Sequence, residues 1–63
     1  MEKFWQINYT SKKGFYECKI IKCPMNWCED QVRDKIIKNL SDEVIEILEC
    51  HFSLSNNFNY DFT

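Results

Sequence analysis

Two runs of β-forming residues open the chain, and the only glycine separates them. The runs cover residues 3–9 and 15–23, with Gly14 directly before the second run and Pro24 directly after it. Gly14 can supply the positive φ that a tight turn needs, and Pro24 ends the second strand because it has no N–H to donate to a β-ladder. The pattern therefore predicts an antiparallel β-hairpin.

The register of this hairpin is predicted from the alternation of apolar and polar positions. Pairing Thr10 with Phe15, across residues 11–14, gathers six apolar side chains on one face: Trp5, Ile7, Tyr9, Tyr16, Cys18 and Ile20. A three-residue loop shifts the register by one and sets apolar residues opposite polar ones. We therefore expect an even loop, formed either by these four residues or by a tight Lys12-Lys13 turn.

After Pro24 the pattern becomes typical of an amphipathic helix. Apolar residues recur at helical spacing: Cys28, Val32, Ile36, Ile37 and Leu40. Asn26 is a good N-cap residue, and Glu29 follows it at the spacing of a capping-box partner. The sequence predicts a helix over residues 27–39.

Residues 41–52 fit either a helix or a strand. A helix would be capped by Ser41 and would carry a stripe at helical spacing: Val44, Ile45, Leu48 and Phe52. A strand would direct Leu48, Cys50 and Phe52 inward. The β-branched residues at positions 44, 45 and 47 favour the strand, and so does the marginal stability of a hairpin alone.

These elements together predict a small α+β fold of the ββαβ type, with one helix packed on the apolar face of an antiparallel sheet. A helical crossover from the second strand favours the strand order 2-1-3. If residues 41–52 were helical, the fold would be ββαα. A chain of 63 residues allows one domain, which we assign to residues 1–53.

Residues 54–63 form a tail that is rich in asparagine. Three aromatic residues stand at alternate positions in it: Phe58, Tyr60 and Phe62. This tail is expected to be either a frayed end or an additional edge strand, within the chain or across a dimer.

Charge is distributed unevenly along a chain whose net charge is −2. Residues 1–25 contain five lysines and two acids, whereas residues 26–63 contain three basic residues and eight acids. Attraction to the phosphate backbone supplies most of the non-specific affinity of a protein for nucleic acid. The acidic balance therefore makes nucleic acid an unfavoured partner.

The first residues do not resemble a signal peptide, because they lack an apolar h-region and a small-residue cleavage site. No apolar run approaches the roughly 20 residues that cross a bilayer. We therefore expect a cytoplasmic protein with no membrane partner and with reduced thiols.

The spacing of the cysteines and the single histidine gives only weak support for a metal site. Cys23, Cys28, Cys50 and His51 are the candidates, but no Cys-x2-Cys pair is present, and neighbouring strand residues point to opposite faces. Cys18 and Cys50 fall on the predicted core face, so we expect structural thiols and no metal or other cofactor.

Cys28 and His51 are a candidate pair of nucleophile and general base, because Cys28 is predicted in the first turn of the helix, where the helix dipole lowers the pKa of a thiol. A chain of this size leaves little room for a substrate pocket. Paired acids such as Asp42 and Glu43 are typical of a solvated face. We therefore expect no enzymatic activity.

Four aromatic residues are candidate partner contacts: Trp27, Phe58, Tyr60 and Phe62. Tryptophan is frequent at interface hot spots, and Trp27 lies off the helical stripe. The alternative for Trp27 is plain packing against Met25.

The expected function is that of a small non-enzymatic protein-binding protein that occupies the surface of another protein. Its size and its isoleucine-, asparagine- and lysine-rich composition fit an inhibitor of a host protein, encoded by a phage or mobile element and acting in the bacterial cytoplasm. A homodimer through the sheet edge or the tail is also expected. The alternative is a nucleic-acid-binding module that uses the lysine-rich hairpin with Trp5, Tyr9 and Tyr16.

Overall fold

A computed structural model describes residues 2–63 of the chain. The elements in chain order are β1 (Glu2–Ser11), β2 (Tyr16–Pro24), α1 (Glu29–Asn39), β3 (Val44–Phe52) and β4 (Tyr60–Asp61). The strands form one sheet in the order β3-β1-β2-β4, and α1 packs against it at β3. The predicted α+β class, the ββαβ succession and the neighbour order 2-1-3 are confirmed.

The sheet is mixed rather than purely antiparallel. β1 pairs antiparallel with both β2 and β3, whereas β4 runs parallel to β2 at the opposite edge from β3. Residues 41–52, which fitted either a helix or a strand, contain the strand β3, as the β-branched residues favoured. The ββαα alternative is therefore wrong.

The predicted register of the hairpin is wrong by one residue. Thr10 lies opposite Tyr16 rather than Phe15, and Trp5 lies opposite Ile21. The loop is the three residues 12–14, which the apolar pattern disfavoured.

Two backbone hydrogen bonds close this loop. The Ser11 N–H donates to the Phe15 carbonyl, and the Gly14 N–H donates to the Ser11 carbonyl, each at 2.9 Å. Gly14 has a φ of +86°, which matches the left-handed residue that ends a three-residue hairpin loop. The glycine was correctly expected to supply a positive φ, but in an odd loop.

The shift in register reverses the two faces of β2. Ile21 and Cys23 are completely buried, whereas Tyr16 is 82% exposed and Cys18 is exposed. The packing of Ile21 and Cys23 beneath the rest of the chain outweighs the pairing of Tyr16 and Cys18 with apolar partners. The predicted core positions in β2 are therefore wrong, including the half-buried Ile20.

This register places two polar residues of β2 on the helix side of the sheet, opposite core residues of β1. Both lie near the hairpin loop. Glu17 faces Tyr9 and is exposed, and Lys19 faces Ile7 and bridges Glu43 with an N–O distance of 3.2 Å. An ion pair and access to water make these positions tolerable in an otherwise apolar arrangement.

Gly14→Ala should lower the free energy of unfolding by about 1 kcal/mol, because alanine is strained at a φ of +86°. The added Cβ meets no atom within 4 Å, so the loss reflects the backbone alone. Urea unfolding measures it. Gly14→Asn is the control and should lose less, since asparagine tolerates the left-handed region; an alanine variant as stable as the native protein contradicts this account of the loop.

Helix α1 begins two residues later than predicted. The chain first makes a turn, closed by a hydrogen bond of 3.2 Å from the Trp27 N–H to a carbonyl three residues earlier, and Asn26 lies within it. Cys28 is the N-cap instead, and its N–H donates to the Gln31 side chain at 3.1 Å. Gln31 thus takes the capping role that was predicted for Glu29.

The core lies between α1 and the sheet as a single cluster. Its members are Trp5, Ile7, Tyr9, Ile21, Cys23, Val32, Ile36, Leu40, Val44 and Cys50. The inward positions predicted for β1 are confirmed. In α1 the stripe is narrower than predicted, because Cys28 is exposed and Ile37 is 59% exposed.

Two β-bulges change the side-chain directions along β3. Register shifts leave Leu48 and Ile45 without partners in β1, and both are exposed, at 45% and 62%. Ile47 packs against the core in place of Leu48, so the inward direction predicted for Leu48 is wrong. An extra residue in one strand redirects the side chains around it, which strict alternation does not anticipate.

The tail covers the β2 side of the core. Tyr60 and Phe62 pack partly against the core, and the Phe62 ring lies 5.4 Å from that of Trp27, centroid to centroid. Asn59 fixes the tail to β2, because its N–H donates to the Ile20 carbonyl at 2.8 Å and its side-chain oxygen accepts the Ile20 N–H at 2.9 Å.

Candidate functional site

The face of the sheet that points away from α1 is uncovered over most of its area. We call this the open face, and its residues are Phe4, Gln6, Asn8, Thr10, Tyr16, Cys18, Ile20, Lys22, Glu46, Glu49 and His51. The tail touches it at one end, where the rings of Phe58 and Phe4 lie 6.1 Å apart. The Lys22 ammonium lies 5.2 Å from the Phe58 ring. The other end is free of this cover.

A groove of about 530 Å³ crosses the open face at that other end. Tyr16 and Cys18 of β2 form one wall, and Leu48 and Glu49 of β3 form the other, with Asn8 of β1 between them. The volume is in the range of ligand pockets, but the groove is open to solvent rather than enclosed. Its shape suits a projecting side chain or segment of another molecule better than a small molecule held on all sides.

Hydrogen bonds fix the polar part of this groove. The Asn8 amide donates to a carboxylate oxygen of Glu49 at 2.7 Å, and the Gln6 amide donates to the Asn8 side-chain oxygen at 3.2 Å. The chain of bonds holds the Glu49 carboxylate at the β3 edge of the sheet. The groove therefore combines exposed apolar walls with a fixed negative charge.

A second cavity of about 280 Å³ lies at the hairpin tip. Charged residues of both signs line it: Lys12, Lys13, Glu17, Lys19, Asp42 and Glu43. Tyr9 reaches it from the core, and burial raises the pKa of its phenol. The mixed charges leave this cavity without a strong preference for a charged ligand.

The lysines of β2 are engaged with acids. Lys19 bridges Glu43, and the Lys22 ammonium lies 3.3 Å from Glu2 and 3.9 Å from Asp61. The fixed positive charge of the hairpin is therefore partly cancelled within the chain.

The acids of β3 lack such partners. Within residues 2–63, neither Glu46 nor Glu49 forms an ion pair. Both lie on the open face along the outermost strand, opposite Thr10 and Asn8. This edge of the sheet consequently carries two negative charges that no ion pair within the described residues compensates.

The thiols divide into a buried and an exposed pair. Cys23 and Cys50 lie in the core, and burial raises the pKa of the Cys23 thiol and raises that of Cys50 to about 11. Cys18 and Cys28 are exposed on different faces. The predicted core position of Cys50 is confirmed, and that of Cys18 is wrong.

The weak metal candidates do not gather in one place. Cys23 and Cys50 are inside the core, Cys28 caps α1, and His51 is exposed on the open face. No group of three or more cysteine, histidine or acidic side chains within residues 2–63 is placed to hold a metal ion. Cys28 and His51 lie on opposite sides of the sheet, so the nucleophile–base pair considered from the sequence is not assembled.

Two of the four thiols should react rapidly with an aromatic disulfide reagent at pH 8 in the native protein. Cys18 and Cys28 are expected to be the rapid ones, because only exposed thiols reach the reagent, and burial keeps Cys23 and Cys50 protonated. Stopped-flow absorbance with Cys18→Ser and Cys28→Ser variants assigns the phases. Four rapid thiols in the folded protein contradict the placement of Cys23 and Cys50.

Three of the predicted partner contacts lie close to one another, but they pack against the core of this chain. Trp27, Tyr60 and Phe62 form an aromatic cluster, in which the Tyr60 and Phe62 rings are 4.7 Å apart. Phe58 lies separately on the open face. Contact of these four side chains with a partner stays a prediction.

The groove residues Tyr16 and Leu48 were missed from the sequence, because strict alternation directed both inward. The signal that favours the observed register is the apolar pair Ile21 and Cys23 directly before Pro24.

The fold and the groove define a small α+β protein with a mixed four-stranded sheet. One face is covered by a helix and an aromatic tail, and the other is open. Comparisons of the chain with protein-family models, with curated proteins and with solved structures gave no match. Within residues 2–63, no helix has the length and apolar character needed to span a bilayer.

Proposed function

We propose that this chain is a small non-enzymatic protein that binds another protein through its open face and acts by occupying the surface of that partner. The groove between Tyr16 and Leu48 is the observation that carries the proposal. Tyrosine is enriched at protein interfaces, and exposed apolar side chains that line one groove are typical of partner sites. Both residues lie on a rigid sheet, which keeps the cost of ordering them low.

Several features support binding over catalysis. The groove is open rather than enclosed, and the two buried thiols have raised pKa values that disfavour the nucleophilic thiolate. Cys28 lies across the sheet from His51, the only histidine.

A nucleic-acid-binding module is the less well supported alternative. Lys19 and Lys22 are paired with acids, which leaves Lys12 and Lys13 as the exposed positive charge of the hairpin tip. The open face carries the unpaired carboxylates of β3, which repel phosphate.

The size and composition favour a finer form of the proposal, in which the protein is an inhibitor encoded by a phage or mobile element. Its partner would then be a host protein in the bacterial cytoplasm.

Affinity capture of the tagged full-length protein from an extract of its native source tests the proposal. The double variant Tyr16→Ser and Leu48→Ser should lose the main partner, because it removes both walls of the groove without opening the core. Ile37→Ser is the matched control, since Ile37 is 59% exposed on α1, away from the open face. A double variant that folds and retains every partner of the native protein shows that the proposal is wrong.

A further inference from the structure

We propose that the outer edge of β3 accepts an extended segment of the partner as a fifth strand, and that this segment alternates basic with apolar side chains. The proposal rests on the proposed function, because it names the chemistry of the partner at the border of the open face.

The edge of β3 is long, and only its first half is protected, by the two bulges. β3 has nine residues and is the last strand of the sheet, and no other described segment of residues 2–63 pairs with its outer side. Natural edge strands are often guarded by lysine or proline, and β3 contains neither. Ile45 and Phe52, at the two ends of β3, are 62% and 59% exposed.

The opposite edge of the sheet is more protected. β4 pairs with β2 at Ile21 and Lys22, and Asn59 occupies both backbone groups of Ile20. The exposed backbone of β2 is thus confined to the end near the hairpin loop. β3 is consequently the edge along which a strand of several residues fits.

The open face and the helix side of β3 favour different side chains on an added strand. On the open face β3 presents His51 and two acids, Glu46 and Glu49, and these acids form no ion pair within the described chain. On the helix side it presents apolar residues: Val44, Ile47, Cys50 and Phe52. Side chains directly opposite each other on neighbouring strands interact most strongly. The complementary strand therefore places basic residues on the open face and apolar residues beside α1. The alternation has period 2 along residues 49–52, where no bulge interrupts the ladder.

The bulges indicate where the added strand pairs best. The uninterrupted ladder between β1 and β3 runs from Glu49 to Phe52, and both register shifts lie before it. The bulges twist the first half of β3, which protects that half in part. An added strand is therefore expected to align with residues 49–52 first, where the Glu49 carboxylate is held by Asn8.

A second copy of the chain is a poorer occupant of this edge. Antiparallel self-pairing brings Glu46 and Glu49 of both copies together in one short strip. Like charges on adjacent strands are destabilising, and β3 contains no lysine or arginine to offset them. The charge of the edge selects a basic strand from a different protein.

A peptide titration followed by NMR tests the proposal on the full-length protein. The probe is a capped heptapeptide of alternating lysine and valine. We expect amide shifts concentrated in residues 44–52 and weaker binding as salt rises. A peptide with glutamate in place of lysine should bind about tenfold more weakly or not at all.

Two further arms separate strand addition from simple attraction between charges. Methylating alternate backbone nitrogens of the lysine–valine peptide keeps its charge but removes its ladder hydrogen bonds, so binding should be lost. Glu46→Lys with Glu49→Lys should reverse the preference between the two peptides. Asp30→Lys on α1 is the control and should leave the preference unchanged, since Asp30 is exposed on the helix, on the other side of the sheet from Glu46 and Glu49.

The proposal is overturned if the unmethylated lysine–valine peptide causes no shifts in β3, if the methylated peptide binds equally well, or if the protein forms a dimer that protects β3. Failure here is distinguishable from failure of the proposed function. A partner that is still lost from the Tyr16 and Leu48 double variant binds the open face without adding a strand.

Discussion

Replacing Ile36 by alanine is expected to unfold much of the protein at 37 °C. Ile36 is 1% exposed and is one of the largest completely buried side chains of the core. Truncating a buried isoleucine to alanine costs about 2–5 kcal/mol. A domain of this length has a free energy of unfolding of about 3–9 kcal/mol, so the loss removes a large fraction of it.

Ile37→Ala provides the matched control in the same helix. Ile37 is 59% exposed, so its truncation should change the free energy of unfolding by less than about 0.5 kcal/mol. Urea unfolding monitored by circular dichroism compares the two variants. Equal losses for Ile36→Ala and Ile37→Ala contradict the orientation of α1 on the sheet.

Removing the two aromatic rings of the tail that cover the core is expected to have the second large effect. In the double variant Tyr60→Ala and Phe62→Ala, the core loses its cover beside β2, and Trp27 loses its ring partner. Both rings are half-buried, so we expect a loss of about 2–4 kcal/mol in the free energy of unfolding. The Cys23 thiol should also react more rapidly with an aromatic disulfide reagent.

Leu54→Ala is the control for the tail, because Leu54 is fully exposed and packs against nothing in the core. It should leave both the urea midpoint and the thiol kinetics unchanged. If the double variant behaves like Leu54→Ala, the tail is a frayed end in solution rather than part of the cover of the core.

The elements of this fold could be predicted from local patterns, whereas their exact alignment could not. The hairpin, the helix and β3 follow from apolar periodicity and from the positions of Gly14 and Pro24. The register depends on whether Ile21 and Cys23 or Ile20 and Cys18 fill the space beneath α1 and the tail. That choice is made by tertiary packing, which period-2 alternation within two strands does not contain.

The groove on the open face was missed for the same reason. Alternation directed Tyr16 inward because the predicted register was shifted, and it directed Leu48 inward because a bulge has no clear sequence signal. The aromatic residues of the tail were recognised as unusual, but their packing against Trp27 depends on the crossing of the chain from the β3 edge of the sheet to the β2 edge. The groove thus depends on the register of the hairpin and on the bulged pairing of β3 with β1. Neither follows from the local sequence pattern.

We propose that another protein binds the open face and the adjoining edge of β3. Hydrogen–deuterium exchange, measured on the protein alone and in a complex with its partner, tests this proposal. The partner used is the one that the native chain captures and that the Tyr16→Ser and Leu48→Ser variant loses. In the complex we expect slower exchange in residues 44–52 and in the β2 residues around the groove, with exchange in α1 unchanged. Slower exchange confined to α1, with β3 exchanging as rapidly as in the free protein, would contradict it.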